Sequence, residues 1–313
     1  MHSWFRSDWP GRNGIRTPNG RVAIVIVNFN TAKLVSQLLF SIFRVLDRNQ
    51  IARVVVVDNA STDNSGPLLR SLREAGLVEV LFNRVQRYHG PALNQAMDFL
   101  AAECRNGLPA TPLFDHVLIL DSDTIVLRPE IIDHSLAALR KCGAGIAGEL
   151  QPNNRLPEGY AHISLPEGYV HITLPEGYAH ISTLLLDPQQ VWRRGIVPFQ
   201  NRGAPGKAFQ HSLHRRGIPV CDFPFRSAAY VLHLGRSTLR QIKEAGDKAN
   251  KYYNWAVSHF DTHYHGNPRG PVIHRNFLRI FDAEVPELTP ESLVSACLRA
   301  ERVPASTLLH STC

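Results

Sequence analysis

The sequence predicts an α/β protein built on a mostly parallel sheet, and three observations carry that reading. Short, unbroken apolar runs recur at 21–28 (RVAIVIVN), 52–58 (ARVVVVD) and 115–121 (DHVLILD), as expected of strands covered on both faces. Helix-length segments with one apolar face separate them, which implies right-handed strand–helix–strand crossovers. Each run also stops at a polar cluster, so polar side chains gather at one edge of the sheet.

Taken in order, residues 1–20 read as a flexible lead-in, because Gly11, Gly14, Pro18 and Gly20 break any period. The strand at 21–28 is followed by a helix over 31–46. Leu34, Leu38, Leu39, Ile42 and Val45 share one face of it, and Thr31 is a candidate N-cap. The strand at 52–58 leads through Asn59-Ala-Ser-Thr-Asp63 into a helix ending near Ala75. A third strand is expected at 78–82, a helix at 89–104 and the fourth strand at 115–121. Further on, the pattern predicts a buried strand over 179–186, a helix over 206–216 ended by Gly217, and strands at 218–223 and 228–234. Beyond that, helices are expected at 237–260 and from Thr289-Pro290 onward, with a frayed terminus. The domain reading is a lead-in (1–20), an α/β domain (21–235) and a helical C-terminal extension (236–313).

Composition bounds the function. A chain of 313 residues, 44% of them hydrophobic, can bury a large core. No apolar run approaches the roughly 20 residues that span a bilayer, and no signal-peptide core is visible, so a cytoplasmic location is expected. The five cysteines (Cys104, Cys142, Cys221, Cys297, Cys313) lack metal-type spacing and are odd in number, which favours reduced thiols. A net charge of +7 favours anionic partners such as nucleotide diphosphates, with peripheral contact to an anionic membrane also in view. No nucleic-acid-binding motif accompanies that charge, and no nucleic-acid partner is expected.

The chemistry is expected where the strands end. Asp121 and Asp123 follow the fourth strand, and side chains two apart in an extended segment point the same way. Two hard oxygen donors at the carboxyl edge of an open α/β sheet suit a magnesium or manganese ion clamping a diphosphate. The competing account is a capping turn, since residues 124–129 are turn-rich. Asp58 can accept from a base N–H or a ribose, and the peptide around Phe29 can flank a base. Asn30, Asn59 and Ser61 equally suit helix caps.

The combination of VIVNFN, VVVVDNASTDNS, the Asn94 of YHGPALNQAMD, and LILDSDTIV resembles the family 2 glycosyltransferases. The resemblance is strong over about 21–150. It implies the GT-A (Rossmann-like) fold and a metal-dependent, inverting transfer from a nucleoside-diphosphate sugar, of UDP or dTDP type, to a hydroxyl on a glycan or lipid-linked acceptor. Such activity belongs to cell-surface polysaccharide or glycoconjugate synthesis. It places Asn28, Phe29, Asn30 and Asp58 in the nucleotide pocket, Asn94 near the donor, Asp121 and Ser122 at the ribose or a metal-bound water, and Asp123 on the metal. The Asn-Phe-Asn ending and the Asp-Asn-Ala-Ser that follows resemble the rhamnosyltransferase-like branch. His233-Leu-Gly-Arg-Ser237 resembles a later family segment and makes His233 a further metal ligand, of a kind that suits manganese better than magnesium.

Two features depart from the family pattern. LPEGYAHIS, LPEGYVHIT and LPEGYAHIS follow one another over 156–182 with a nine-residue period. Their His162, His171 and His180 would lie roughly 30 Å apart along an extended chain, so they read as a repeated surface segment rather than a metal site. Only the third copy runs on into an apolar strand. The family also places an acidic general base ahead of the 206–216 helix, where this chain has Asn201-Arg-Gly-Ala-Pro-Gly-Lys207. Base catalysis is worth roughly 10²- to 10⁴-fold, so another group must serve if the chain turns over. His211 is the substitute nearest in sequence, with Asp187 and Asp222 as further candidates. Two alternatives remain beside transfer: a nucleotide-sugar-binding module that has lost turnover, and a sugar nucleotidyltransferase, whose Gly-rich basic loop is missing from 29–34.

Overall fold

The computed structural model describes residues 20–105, 114–151, 178–200, 205–235 and 267–309. The repeat copies ahead of Tyr178, the lead-in up to residue 19 and the helix expected at 237–260 lie outside these residues. The first half follows the expected alternation: β1 (Val22–Asn28), α1 (Ala32–Val45), β2 (Ile51–Asp58), α2 (Ser65–Glu74), β3 (Glu79–Phe82), α3 (His89–Arg105) and β4 (His116–Asp121). Then come β5 (Thr124–Val126), α4 (Ile131–Cys142), β6 (Ile146–Gln151), β7 (Tyr178–Leu186), α5 (Pro188–Val191), α6 (Lys207–His214), β8 (Val220–Asp222) and β9 (Val231–His233). Three C-terminal helices follow: α7 (Gly270–Glu284), α8 (Pro290–Leu298) and α9 (Ala305–Leu309).

Seven strands form one sheet in the order β3-β2-β1-β4-β7-β6-β8. The strands β3, β2, β1 and β4 run parallel, β7 is antiparallel to both neighbours, and β8 is parallel to β6. The start of β7 therefore lies at the same edge as the ends of β1, β2 and β4. Alternation along β1 divides the core: Val22, Ile24 and Ile26 pack on one face, Ala23, Val25 and Val27 on the other. The first face is covered by α1 and α4 and by Phe277, Phe281 and Leu293 from the C-terminal helices; Phe40 meets Phe281 edge to face at 5.3 Å. The second face is covered by Leu93, Met97 and Leu100 of α3 and by Trp192, Phe199 and Phe209. The C-terminal extension thus shares the core of the sheet domain. Its helix α8 opens with the expected Thr289-Pro290 start and a Thr289–Ser292 capping box.

Several expectations change. The strand over 228–234 is only Val231–His233, because residues 225–230 make turns closed by Ala229 at φ 54°. The stretch at 124–129 contains β5, whose hydrogen bonds come from β9 in a separate two-stranded sheet. A short helix, α9, with Leu308 buried precedes the final residues, 310–313, which lie outside the described residues. The sequence reading also lacked α4 and β6. Glycines weaken a strand pattern, yet β6 needs them: a Cβ at Gly148 would sit 2.5 Å from Leu184 Cδ2 and 2.6 Å from Ala179 Cβ of β7.

Candidate active site at the carboxyl edge of the sheet

Parallel register sets Asn28 beside Asp58 and Val27 beside Asp121, so three strand ends meet. Asn28 is fully buried and knits them together. Its Nδ2 donates to Asp58 Oδ1 (2.9 Å) and Ser61 Oγ (3.1 Å), and its Oδ1 accepts from Thr31 Oγ1 (2.5 Å). The Thr31 hydroxyl also lies 3.1 Å from Ser122 Oγ, which ties in the turn after β4. Thr31 therefore does not cap α1 with its side chain; the Ala32 N–H donates instead to Asp63 Oδ2 of the neighbouring loop (2.9 Å). Asn30 takes a positive φ of 52° and accepts the Thr62 N–H at its Oδ1 (2.7 Å). Asn28 and Asn30 thus fix the loops at this edge, with Asp58 buried and Phe29 half-buried beside them.

Asp121 ends β4, and a turn at Ser122-Asp123 sends the chain into β5. The turn, rather than the alternation of an extended strand, brings the two carboxylates together. Pairing of β5 with β9 then sets Thr124 opposite His233, and the Leu234 N–H donates to Asp123 O (3.0 Å). His233 Nε2 comes to lie 2.9 Å from Asp123 Oδ1 and 3.7 Å from Asp121 Oδ2. Donor atoms of Asp121, Asp123 and His233 all fall within 4.8 Å of one another. Burial pushes the Asp121 carboxyl up, against the opposing pull of His89 and His233. Burial alone would lower His233, but the charge and hydrogen bond of Asp123, with Asp121 behind it, hold the imidazole above its usual value. Asp121 Oδ1 makes no hydrogen bond. A half-buried and a buried carboxylate and a buried imidazole converge here, with one carboxylate oxygen lacking a hydrogen bond, and such a donor set can hold a divalent cation.

Three further residues surround this centre: His89 and Arg226, which the sequence did not single out, and His180, which it set aside as a metal ligand. His89, at the start of α3, places Nε2 3.3 Å from Asp121 Oδ1. His180, read as a repeat-surface residue, lies with its ring centroid 5.6 Å from that of His233 because antiparallel β7 begins at this edge. Its Nδ1 accepts the Ser182 N–H (3.2 Å), so the neutral ring carries its proton on Nε2. Arg226 is buried against Glu149, with Nε 3.5 Å from Oε2, and the Arg226 N–H also donates to that carboxylate (2.5 Å). The start of α3, the direction of β7 and the turn between β8 and β9 bring these groups in, and none of these is visible in a local pattern.

Other candidates lie elsewhere. Asn94 is buried with both ends of its amide on one backbone: Nδ2 donates to Phe199 O (2.9 Å) and Oδ1 accepts the Phe199 N–H (3.0 Å). It clamps α3 to the chain ahead of α6. His211 sits opposite the arc of α6 that carries the buried Phe209, Gln210 and Leu213, and its neighbours include Arg215 and His214. Among the described residues nothing links it to Asp121, Asp123 or His233. Asp187 follows the end of β7, at the opposite edge beside Asp115 and His116, and caps α5. Asp222 ends β8 on the site's edge and accepts the Leu150 N–H (2.9 Å).

Residues 23–147 match the model described as Glycosyl transferase family 2. That segment belongs to the family. It carries β1 to β4, both aspartates of the turn and the Asn28–Asp58 pair. No curated protein matches the chain. Similar solved structures include S. aureus TarS residues 1–349 in complex with UDP-GlcNAc, at 16% identity over 62% of this chain and 52% of that one, with a TM-score of 0.43. The mannosyltransferase PcManGT from Pyrobaculum calidifontis, in complex with GDP-Man and Mn2+, matches at 17% identity over 97% of this chain and 81% of that one, TM-score 0.45. Glucosyl-3-phosphoglycerate synthase from Mycobacterium tuberculosis, with Mg2+ and UDP, matches at 16% identity over 69% and 75%, TM-score 0.42. This chain thus spans about half the length of that TarS structure. Among the described residues no helix is long and apolar enough to cross a membrane.

Proposed function

We propose that the chain is a glycosyltransferase that moves a sugar from a nucleoside-diphosphate sugar to an acceptor hydroxyl with inversion. The observation that carries this reading is the convergence of Asp121, Asp123 and His233 beside the Asn28–Asp58 loop, inside or adjoining the family segment. Asp58, held by Asn28, accepts hydrogen bonds from the base or ribose, and Phe29 flanks the base. Asp121, Asp123 and His233 would hold a divalent ion, which supplies positive charge for the departing diphosphate. The acceptor oxygen attacks the anomeric carbon from the face opposite the diphosphate, the carbon–oxygen bond to the diphosphate breaks, and the acceptor's proton passes to a base. Asp222, on the site's edge, and His211 are the candidates for that base. UDP, dTDP or GDP sugars, including the deoxyhexose donors of the rhamnosyltransferase-like branch, define the donor class. Glycan or lipid-linked alcohols define the acceptor class.

A second reading has one observation behind it: residues 201–207 carry no carboxylate where the family places its base. In that reading the chain binds the donor without transferring it. The deciding experiment incubates purified protein with MnCl2, a donor panel and candidate acceptors, and follows nucleoside diphosphate release with Asp123→Ala as control. Release lost in the control supports transfer. Donor binding by calorimetry without release from any pair supports the binding module, and neither binding nor release would overturn both.

A further inference from the structure

Away from this site, two cysteines far apart in sequence meet at the outer edge of the sheet. Cys142 is the last residue of α4 and is exposed; Cys221 is the middle residue of β8 and is buried. Their sulfurs lie 2.7 Å apart, and the Cys221 thiol also approaches Ala138 O at 3.6 Å. A bonded pair needs about 2.05 Å, so closure asks only for a shift of under an ångström at the end of a helix. The helix terminates at Gly143 with φ 58°, where the chain turns toward β6, and no chain crosses between the two sulfurs.

We propose that Cys142 and Cys221 are a thiol-oxidation site that closes to an internal disulfide by exchange with a low-molecular-weight disulfide such as oxidised glutathione. Cys142, the exposed thiol, loses its proton and attacks one glutathione sulfur; the glutathione disulfide bond breaks and one glutathione thiol leaves. Cys221 then attacks Cys142 Sγ, giving up its proton as the second glutathione departs as a thiol. Two protein thiols are oxidised and one glutathione disulfide is reduced to two thiols, so atoms and electrons balance. Burial and the neighbouring sulfur push the Cys221 thiol up to about 12, which makes it the resolving rather than the attacking partner. The bond would fasten β8, which among the described residues pairs only with β6, to the helix that covers it. It would also stiffen the route from β8 through Phe223 and Phe225 to His233.

The test uses the full wild-type chain equilibrated with defined ratios of reduced to oxidised glutathione, then alkylated and digested with trypsin. The expected product is a disulfide joining peptide 142–155 to peptide 217–226, with two thiols fewer per chain and a melting temperature raised on the order of 5–10 °C. Cys142→Ser, a change at an exposed helix end, should abolish the linked peptide, leave Cys221 without glutathione and make the melting temperature independent of the ratio. A stable glutathione adduct on Cys142 without the linked peptide would overturn the proposal, as would a linked peptide that leaves stability unchanged or lowers it. The readout requires neither metal nor nucleotide, so it stands or falls apart from the glycosyltransferase reading.

Discussion

Removing the amide of Asn94 should destabilise the protein while leaving binding of the proposed donor close to wild type. The side chain is 6% exposed and makes two hydrogen bonds of normal length to the Phe199 backbone. Asn94→Ala leaves a buried N–H and a buried carbonyl without those partners, at about 1–3 kcal/mol for the donor and less for the carbonyl, which suggests a loss of about 2–4 kcal/mol. For a chain of this size that corresponds to a fall in Tm of roughly 3–6 °C. Trp192 packs near Phe199, with ring centroids 6.5 Å apart, so tryptophan fluorescence during urea unfolding reports the event directly. Asn94→Asp adds a discriminating comparison: one oxygen can still accept the Phe199 N–H, but the other faces Phe199 O, so it should destabilise by a similar amount. Calorimetry under conditions where both variants are folded should show donor binding close to wild type. An unchanged urea midpoint together with lost donor binding would refute the clamp and return Asn94 to the donor site.

The remaining predictions concern the metal centre and the packing around it. Asp123→Ala removes the partner at 2.9 Å from His233 and one ligand of the set, so manganese affinity should fall beyond the roughly 10- to 100-fold typical of losing an outer-shell partner; equal affinity by calorimetry contradicts the assignment. Because His233 is held above its usual value, the protonated ring stabilises the metal-free fold. That contribution is complete below about pH 6.5 and is lost as pH rises through the raised value, while manganese affinity climbs over the same window. Melting curves against pH with and without MnCl2 test this, and a metal-free stability that rises through that window would be the wrong sign. Gly90→Ala would place a Cβ 1.9 Å from Gln200 O, so the backbone must yield at a cost of about 1–3 kcal/mol; a urea midpoint equal to wild type would show that α3 and the 199–200 segment part easily. Deleting residues 156–173 keeps one repeat copy ahead of β7 and leaves the pairing of Leu150 with Ala179 and Gln151 with Tyr178 in place, so stability should change by no more than about 1 kcal/mol. A larger loss would place the first two copies in the core.

What the sequence determined by itself is the part written in local patterns. Unbroken apolar runs specify β1, β2 and β4, because strands buried on both faces tolerate nothing else, and the polar residue ending each run marks the edge where a ligand meets them. Asp58, Asp121 and Asp123 were legible for that reason, and His233 through the apolar run before it together with the resemblance. Tertiary structure decided the rest, since it depends on which way a strand runs and what it pairs with. His180 reaches the site only because β7 is antiparallel, His89 only because α3 starts over Asp121, and β5 exists only through its hydrogen bonds to β9. Asn94 and Asp187 show the converse. Each has the composition of a site residue, but the first is hydrogen-bonded to the Phe199 backbone, and the reversed direction of β7 carries the second to the far edge. The meeting of Cys142 with Cys221 is of the same kind: a helix end and an edge strand brought together by a sheet order that no spacing along the chain encodes.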